Sequence, residues 1–403
     1  MNPQSEALSI SGIRLAAAAA GIKYRNRDRE DVVLLECAEG SVAAAVFTSN
    51  AFCAAPVTLA RQHLREADVR YLIINSGNAN AGTGAAGLQA AQQTCLSVAA
   101  SAGCEASQVM PFSTGVIGQL LPQDKIAAVV PELVENLDEA GWPRAAKAIM
   151  TTDTVPKLVS RQTEINGHMV TVTGMAKGSG MIRPDMATML AFLATDIKIS
   201  QPLLQQCLQQ AVNPSFNSIT VDGDTSTNDA CVLLSSCRNE LSLADENDAA
   251  FGVFCELVTE VCMELARAIV LDGEGATKLI EIVVEQATSE AEARDVAYTI
   301  AHSPLVKTAM FASDPNWGRI LAAVGRAGVA SLDIDQVQIW LGDVCIVEQG
   351  GVAASYTEVA GQAVMNQPEI MVRVSLGRGQ AQARVLTCDL SYDYVKINAE
   401  YRT

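Results

Sequence analysis

The sequence predicts an α/β (α+β) protein in which helices pack on mixed or antiparallel sheets. Helical and strand-like patterns alternate irregularly, without the strict strand–helix rhythm of a doubly wound parallel sheet. Glu164-Ile-Asn-Gly-His-Met-Val-Thr-Val-Thr173 carries the Asn-Gly turn of a hairpin, which joins antiparallel neighbours. Met189 to Ala194 is apolar without alternation, as in a strand buried on both faces.

In chain order, Asp31-Val-Val-Leu-Leu-Glu-Cys37 and Val42-Ala-Ala-Ala-Val-Phe47, with a short turn at Glu39-Gly-Ser41, read as a strand hairpin. Val69 to Asn75 is a buried strand, and a Gly/Asn loop from Ser76 to Gly84 leads from it into an Ala/Gln-rich helix of about residues 85 to 102. Gly82-Thr-Gly84-Ala-Ala-Gly87 has the glycine spacing of a dinucleotide site. In such a site the glycines follow their strand tightly, and an acidic residue about 20 positions on ends a second strand. Here the strand stops near Asn75 and Glu105 lies in a loop-like segment, so a loop capped by a helix is preferred to nucleotide binding. Gln108 to Gly118 is a short strand ending in a tight Thr114-Gly115 turn, where a glycine lets a backbone N–H approach a ligand closely.

Residues 123 to 139 form an amphipathic helix with a bend at Pro131, and Trp142 to Lys147 begin another helical piece. Met150-Thr-Thr-Asp-Thr-Val-Pro156 reads as a solvated polar turn. Residues 201 to 212 are helical. Ser215 to Asp229 is a polar loop whose acids, Asp222, Asp224 and Asp229, do not follow the twelve-residue calcium loop, so no metal is expected. A long helix from Ala244 to Asp272 stops at Gly273-Glu-Gly275; Lys278 to Ala287 is a strand, and Ser289 to Ser303 a helix. The Ser313 to Arg319 loop leads into a further helix. Val337 to Leu341, Val344 to Glu348, Ile370 to Ser375 and Gln380 to Leu386 are strands. No stretch reads as a linker.

A chain of 403 residues supports two domains or one large α/β body, and 49% hydrophobic with 18% charged residues excludes disorder. Aromatics are only 4%, so Ala, Val, Leu, Ile and Met must build the core. A net charge of −17 with no basic run argues against nucleic acid. Eleven scattered cysteines, never in a Cys-x-x-Cys pair, read as small core hydrophobes in a reducing compartment. The N-terminus lacks a signal pattern and Leu15 to Ile22 is too short to span a membrane, so a cytoplasmic location is expected.

Lys177 to Asp196 is the stretch where chemistry is expected. Gly178, Gly180 and Pro184 make its first half a loop, and its second half is the apolar strand. Thr188 sits at the junction. A threonine hydroxyl needs a base, and cleavage between Ala187 and Thr188 supplies one by making Thr188 an N-terminus. Spacing alone leaves Thr188 an ordinary β-branched residue at a strand start. The three histidines, His63 on a charged helix, His168 in a hairpin and His302, read as surface residues, which leaves little for a His-based triad or zinc site.

Lys177-Gly-Ser-Gly-Met181, Pro184-Asp-Met-Ala-Thr188-Met-Leu and Thr195-Asp196 resemble the self-cleaving signature of the ornithine acetyltransferase (glutamate N-acetyltransferase) family. Further matches occur in order at Ser76 to Gly82, Ser113 to Gly118, Met150 to Thr154, Ser215 to Asp229, Gly273 to Lys278 and Ser313 to Arg319. The resemblance implies a layered α/β sandwich like that of self-cleaving aminopeptidases, with a smaller α/β C-terminal portion from roughly residue 285 to 403. It implies autocleavage into an alpha chain, 1–187, and a beta chain, 188–403, interleaved in one fold and associating as a heterotetramer of two each. Thr188 is then the nucleophile, Thr114 and Gly115 the oxyanion hole, and Thr151, Lys177, Thr188, Glu274, Asn398 and Thr403 the substrate contacts. Charge assigns Lys177 to a carboxylate and Glu274 to an ammonium. The implied reaction moves acetyl from N-acetylornithine to glutamate through an acetyl-threonine, with no cofactor and no metal. Acetyl-CoA stays open as a second donor. An aminopeptidase or amidase with the same nucleophile is the enzymatic alternative, and a binding module with an uncut chain the non-enzymatic one.

Overall fold

The computed structural model describes residues 7–23, 29–183 and 189–400. The chain divides into two compact units, Met1–Asn217 with Asp224–Ile269, and Ser218–Gly223 with Val270–Thr403. The first unit holds β1 (Ile13–Ala18), β2 (Val32–Cys37), β3 (Val42–Phe47), α1 (Ala55–Glu66), β4 (Tyr71–Asn78), α2 (Gly84–Ala102), β5 (Val109–Val116), α3 (Gln123–Glu135) and α4 (Trp142–Ala148). It continues with β6 (Lys157–Ile165), β7 (His168–Lys177), β8 (Leu190–Thr195), β9 (Lys198–Ile199), α5 (Gln201–Val212), β10 (Ala230–Ser235), β11 (Ser242–Leu243) and α6 (Ala249–Leu271).

Two mixed sheets form the middle of this unit, one ordered β1-β2-β4-β5 and the other β3-β10-β8-β7-β6. Each has one parallel pair, β4 with β5 and β10 with β8, among antiparallel neighbours. Alternation along β2 sorts its residues between two cores. Val33, Leu35 and Cys37 point into a cluster shared with Met175, Leu190, Phe192, Ala194 and Val232 of the second sheet. Val32 and Leu34 point the other way, toward Ala91, Cys95 and Val98 of α2 and Ile126 and Val130 of α3. The second sheet's outer face meets α6, because a Cβ added at Gly174 of β7 would lie 3.1 Å from Leu265 and 3.2 Å from Val261. The unit is thus a four-layer sandwich of helices, sheet, sheet and helices.

The expected hairpin of residues 31 to 48 is not one. β2 joins the first sheet and β3 the edge of the second, paired with β10 in the register Ala45↔Val232. Both strands are almost wholly buried, so neither has a polar face to fix its partner, and the turn at Gly40 (φ 84) crosses between layers. The β6–β7 hairpin does form, with Asn166 at φ 50 and Gly167 at φ 79 as the turn requires. The free edge of β3 is closed by α5, where the Gln205 amide donates to the Ala45 carbonyl and accepts from the Ala45 N–H, each at 3.2 Å.

His63 is buried, not a surface residue, and its Nδ1 lies 2.7 Å from the Val109 carbonyl. Gly82-Thr-Gly84-Ala-Ala-Gly87 serves internal packing. Asn80 Nδ2 donates to the Gly87 carbonyl (2.9 Å) and the Thr83 hydroxyl to Asn80 Oδ1 (2.9 Å), and a Cβ at Gly87 would fall 1.8 Å from Thr83 Oγ1. The cysteines are unpaired and seven are buried, as expected of core hydrophobes.

The second unit follows with β12 (Leu279–Ala287), α7 (Glu290–Ala301), α8 (Pro304–Phe311), α9 (Trp317–Gly325), β13 (Gln338–Leu341), β14 (Val344–Glu348), β15 (Gly351–Val352), α10 (Glu358–Met365), β16 (Glu369–Ser375), β17 (Ala381–Cys388) and α11 (Tyr392–Ala399). Its six strands run β15-β14-β13-β16-β12-β17, and α7, α8 and α9 cover one face through Val296, Ile300, Met310 and Ile320. The sequence pattern did not mark α8 or α10. Among the described residues no helix is long and apolar enough to cross a membrane.

Phe112 of β5 and Phe192 of β8 meet edge to face across the two sheets of the first unit, with ring centroids 5.1 Å apart. Phe192→Ala is expected to cost about 3–5 kcal/mol, because the ring is fully buried and its site cannot collapse without moving both sheets. Urea unfolding checks it as a lower midpoint at unchanged slope.

Candidate active site

The strand ends nearest the Lys177–Leu190 connection form a cleft of about 250 Å³ lined by Thr114, Lys177, Met181, Met189, Asn228 and Asp229 among others. Thr114 and Gly115 stand at the end of β5, beside Ser76 and Gly77 of β4, where the pairing register shifts. Gly115 has φ 134, and a Cβ there would lie 2.3 Å from the Gly77 carbonyl carbon and 2.5 Å from the Asn78 nitrogen. Only glycine lets the two backbones pack this closely.

Polar side chains hold this strand end in place. Asn228 Nδ2 donates to the carbonyls of Ala79 (2.6 Å) and Ser113 (2.9 Å), while Asn228 Oδ1 accepts from Thr227 Oγ1 (2.5 Å). On the other side Ser113 donates its hydroxyl to Asn75 Oδ1 at 2.6 Å. The residue before Thr114 is therefore tied through both its carbonyl and its side chain.

Lys177 ends β7 opposite Leu190, the first residue of β8. The segment Met150 to Thr154 is not the solvated turn expected of it. Asp153 is buried, accepts at Oδ1 from Lys157 Nζ (2.7 Å) and the Gly178 N–H (2.7 Å), and accepts at Oδ2 from the Thr151 N–H (2.9 Å). Burial alone pushes the Asp153 carboxyl up, but the ammonium charges of Lys177 and Lys157, with the hydrogen bonds from Lys157 and Thr151, outweigh it and hold the group well below the usual carboxylate range. One ionised carboxyl thus faces two lysines beside the cleft. It also fixes the backbone at Thr151 and Gly178, next to two expected substrate contacts. Sequence reasoning missed Asp153, since a run of threonines around one aspartate carries no sign of burial.

Of the other expected site residues, Glu274 is buried in the loop after α6 and Asn398 lies on α11, both in the second unit. The fold brings this pair together, with Asn398 Nδ2 donating to Glu274 Oε2 at 2.8 Å across 124 positions of sequence. Close packing there depends on Gly275, where a Cβ would lie 2.5 Å from the Tyr394 nitrogen. Ala187, Thr188 and Thr403 lie outside the described residues. Asp229, read before only as part of a polar loop, is fully buried in the cleft wall.

Asp153→Asn removes a buried ionic partner of Lys157, whose side chain is 1% exposed, and is expected to cost about 3–5 kcal/mol at pH 7. Because the folded carboxyl is held low, its stabilisation is present above the unfolded value of about 3.9 and is lost as pH falls toward the folded value. Urea unfolding from pH 7 down to pH 3 is expected to show a constant gap between the two proteins until about pH 4 and a narrowing gap below it.

A profile of the ArgJ family matches residues 14–403. The arginine biosynthesis bifunctional protein ArgJ of Methylococcus capsulatus is 64% identical over 394 residues, which cover 98% of this chain and 96% of that protein. The protein of the same name from Pseudomonas fluorescens is 54% identical over 397 residues, covering 98% and 97%. Among solved structures, ornithine acetyltransferase from Mycobacterium tuberculosis complexed with ornithine is 37% identical over 46% of this chain and 98% of that one, with a TM-score of 0.40. With a profile match over nearly its whole length and relatives of such identity, this chain belongs to the ArgJ family.

Proposed function

We propose that this protein carries an acetyl group on Thr188 after cutting itself between Ala187 and Thr188. It is an acyltransferase of arginine biosynthesis, moving acetyl from N2-acetyl-L-ornithine to L-glutamate. The observation that carries the site assignment is the shared cleft wall of Thr114, Lys177, Met189 and Leu190, since Met189 is the residue that follows Thr188.

In the proposed cycle the α-amine freed at Thr188, with an unperturbed pKa of about 7.7–8.0, takes the proton of the threonine hydroxyl. The oxygen attacks the acetyl carbonyl. Thr114 and Gly115 stabilise the negative oxygen that forms, and the rigid backbone contact between Gly115 and Gly77 keeps them in place before substrate arrives. Loss of one such donor typically raises a barrier by about 2.7–4 kcal/mol. The amine departs, the acetyl-threonine ester remains, and glutamate reverses the sequence.

Lys177, in the cleft wall, takes a substrate carboxylate, and Thr151 adds a contact at the same edge. Glu274, oriented by Asn398, takes the side-chain ammonium of ornithine, and Thr403 completes the set. No coenzyme or metal enters this cycle. Acetyl-CoA is a second acetyl donor in this reading, supported by the word bifunctional in the relatives' names. The two pieces stay associated because β7 and β8, on either side of the cut, pair from Val172↔Thr195 to Lys177↔Leu190. Two copies of each piece make the assembly, and the location is the cytoplasm.

Mass measurement under denaturing conditions tests the cut. Two pieces that add to the chain plus one water, the second beginning at Thr188, are expected. Thr188→Ala is expected to stay a single 42.5 kDa polypeptide without transferase activity. Splitting of that variant at residue 187, or activity from an intact chain, would overturn the assignment.

A further inference from the structure

The cycle above leaves one buried carboxyl of the cleft unused. Asp229 immediately precedes β10, whose first residue, Ala230, pairs with Leu190 and donates its N–H to the Met189 carbonyl at 3.0 Å. It shares the cleft wall with Thr114, Lys177 and Met189 and is 3% exposed. Its Oδ2 has no hydrogen-bond partner among the described residues. Structural aspartates in this fold are satisfied at both oxygens. Asp153 is one case, and Asp389 is another, with Oδ1 accepting from the N–H groups of Thr277 and Lys278 and Oδ2 from the Thr277 hydroxyl. A buried polar atom left unpaired costs stability, so a free oxygen at a reaction cleft calls for a use.

Burial pushes the Asp229 carboxyl well above its ordinary range, and the Ser226 hydrogen bonds and the Lys177 charge pull down without reversing it. Asp153 and Asp229, two carboxyls that both interact with Lys177, are thereby driven in opposite directions, one toward the ionised form and one toward the protonated form. Such a split marks acid and base roles.

We propose that Asp229 is a further catalytic residue of the transfer, the acid that protonates the nitrogen leaving the acyl carbon. The proposal rests on Thr188 as the nucleophile. The Thr188 oxygen bonds to the acetyl carbon and its proton passes to the α-amine. The C–N bond then breaks, its electron pair goes to the ornithine nitrogen, and that nitrogen takes the proton of Asp229. The α-ammonium returns its proton to the Asp229 carboxylate, so the hydroxyl proton ends on the released amine and both groups are restored. Attack by glutamate runs the same transfers backwards.

The test is Asp229→Asn, which keeps the shape of the side chain and cannot carry the proton. Turnover of N-acetylornithine with glutamate by the cleaved variant is expected to fall by about 10²–10⁴-fold at little change in KM. Acetylation by p-nitrophenyl acetate, whose phenolate departs without a proton, is expected to stay within about tenfold of the wild type. Self-cleavage also expels an amine, so D229N is expected to mature slowly, while Asp229→Glu, which keeps the acid, is expected to mature and retain N-acetylornithine turnover well above D229N. Equal losses with both donors, undiminished N-acetylornithine turnover in D229N, or a matured D229E as inactive as D229N would each overturn the role of Asp229. Absence of an acetyl group on the Thr188 peptide of the wild-type enzyme would instead overturn the threonine nucleophile, and this proposal with it.

Discussion

The cleft of the first unit depends on one amide. Asn228 reaches from the approach to β10, in one sheet, to the carbonyls of Ala79 and Ser113, at the ends of β4 and β5 in the other. Sheets packed face to face by apolar side chains can slide by fractions of an ångström, since such contacts have no direction. Two hydrogen bonds from a single planar group have direction. They fix the end of the strand bearing Thr114 and Gly115 against the strands that carry Met189 and Asp229, and the apolar contact of Phe112 with Phe192 sets the spacing beneath.

Charge is arranged around this frame asymmetrically. Asp153 is buried but surrounded by donors and cations, and ionisation is the cheaper state for it. Asp229 has the same chemistry and a similar depth, with one oxygen unserved, and burial pushes its carboxyl up toward the protonated form. Lys177 interacts with both. Depth does not make the difference: two ammonium charges, Lys177 and Lys157, act on Asp153 together with its hydrogen bonds, whereas Lys177 and the Ser226 hydrogen bonds alone oppose burial at Asp229.

Local chemistry made part of this legible in the sequence. The β6–β7 turn announces itself through Asn166-Gly167, and β8 through an unbroken apolar run. The partner of β3 was not legible, because a strand buried on both faces says nothing about which sheet receives it. For His63 a signal existed and was overridden by the charged residues around it: Pro56, Leu59, Ala60 and His63 fall at helical spacing on the buried face of α1. The start of α8 was likewise written as Ser303-Pro304, a cap followed by proline in the first turn, but a Ser so close to α7 reads equally as that helix's end. Motif resemblance named the candidate site residues, yet the burial of Asp153 and the unpaired oxygen of Asp229 are properties of distant segments meeting, which no local window contains.

The antiparallel pairing of β7 with β8 has a consequence for how the protein can be made. While the chain is continuous, the two strands find each other as the ends of a short loop, at a closure entropy that grows only slowly with length. With the cut proposed at residue 187, the same pairing would join two molecules, and its equilibrium would depend on their concentration. Unfolded at high dilution, such pieces would lose the advantage that assembled them. Under that cut the fold would be reached through a precursor, and afterwards it would persist by slow unfolding rather than by ready return.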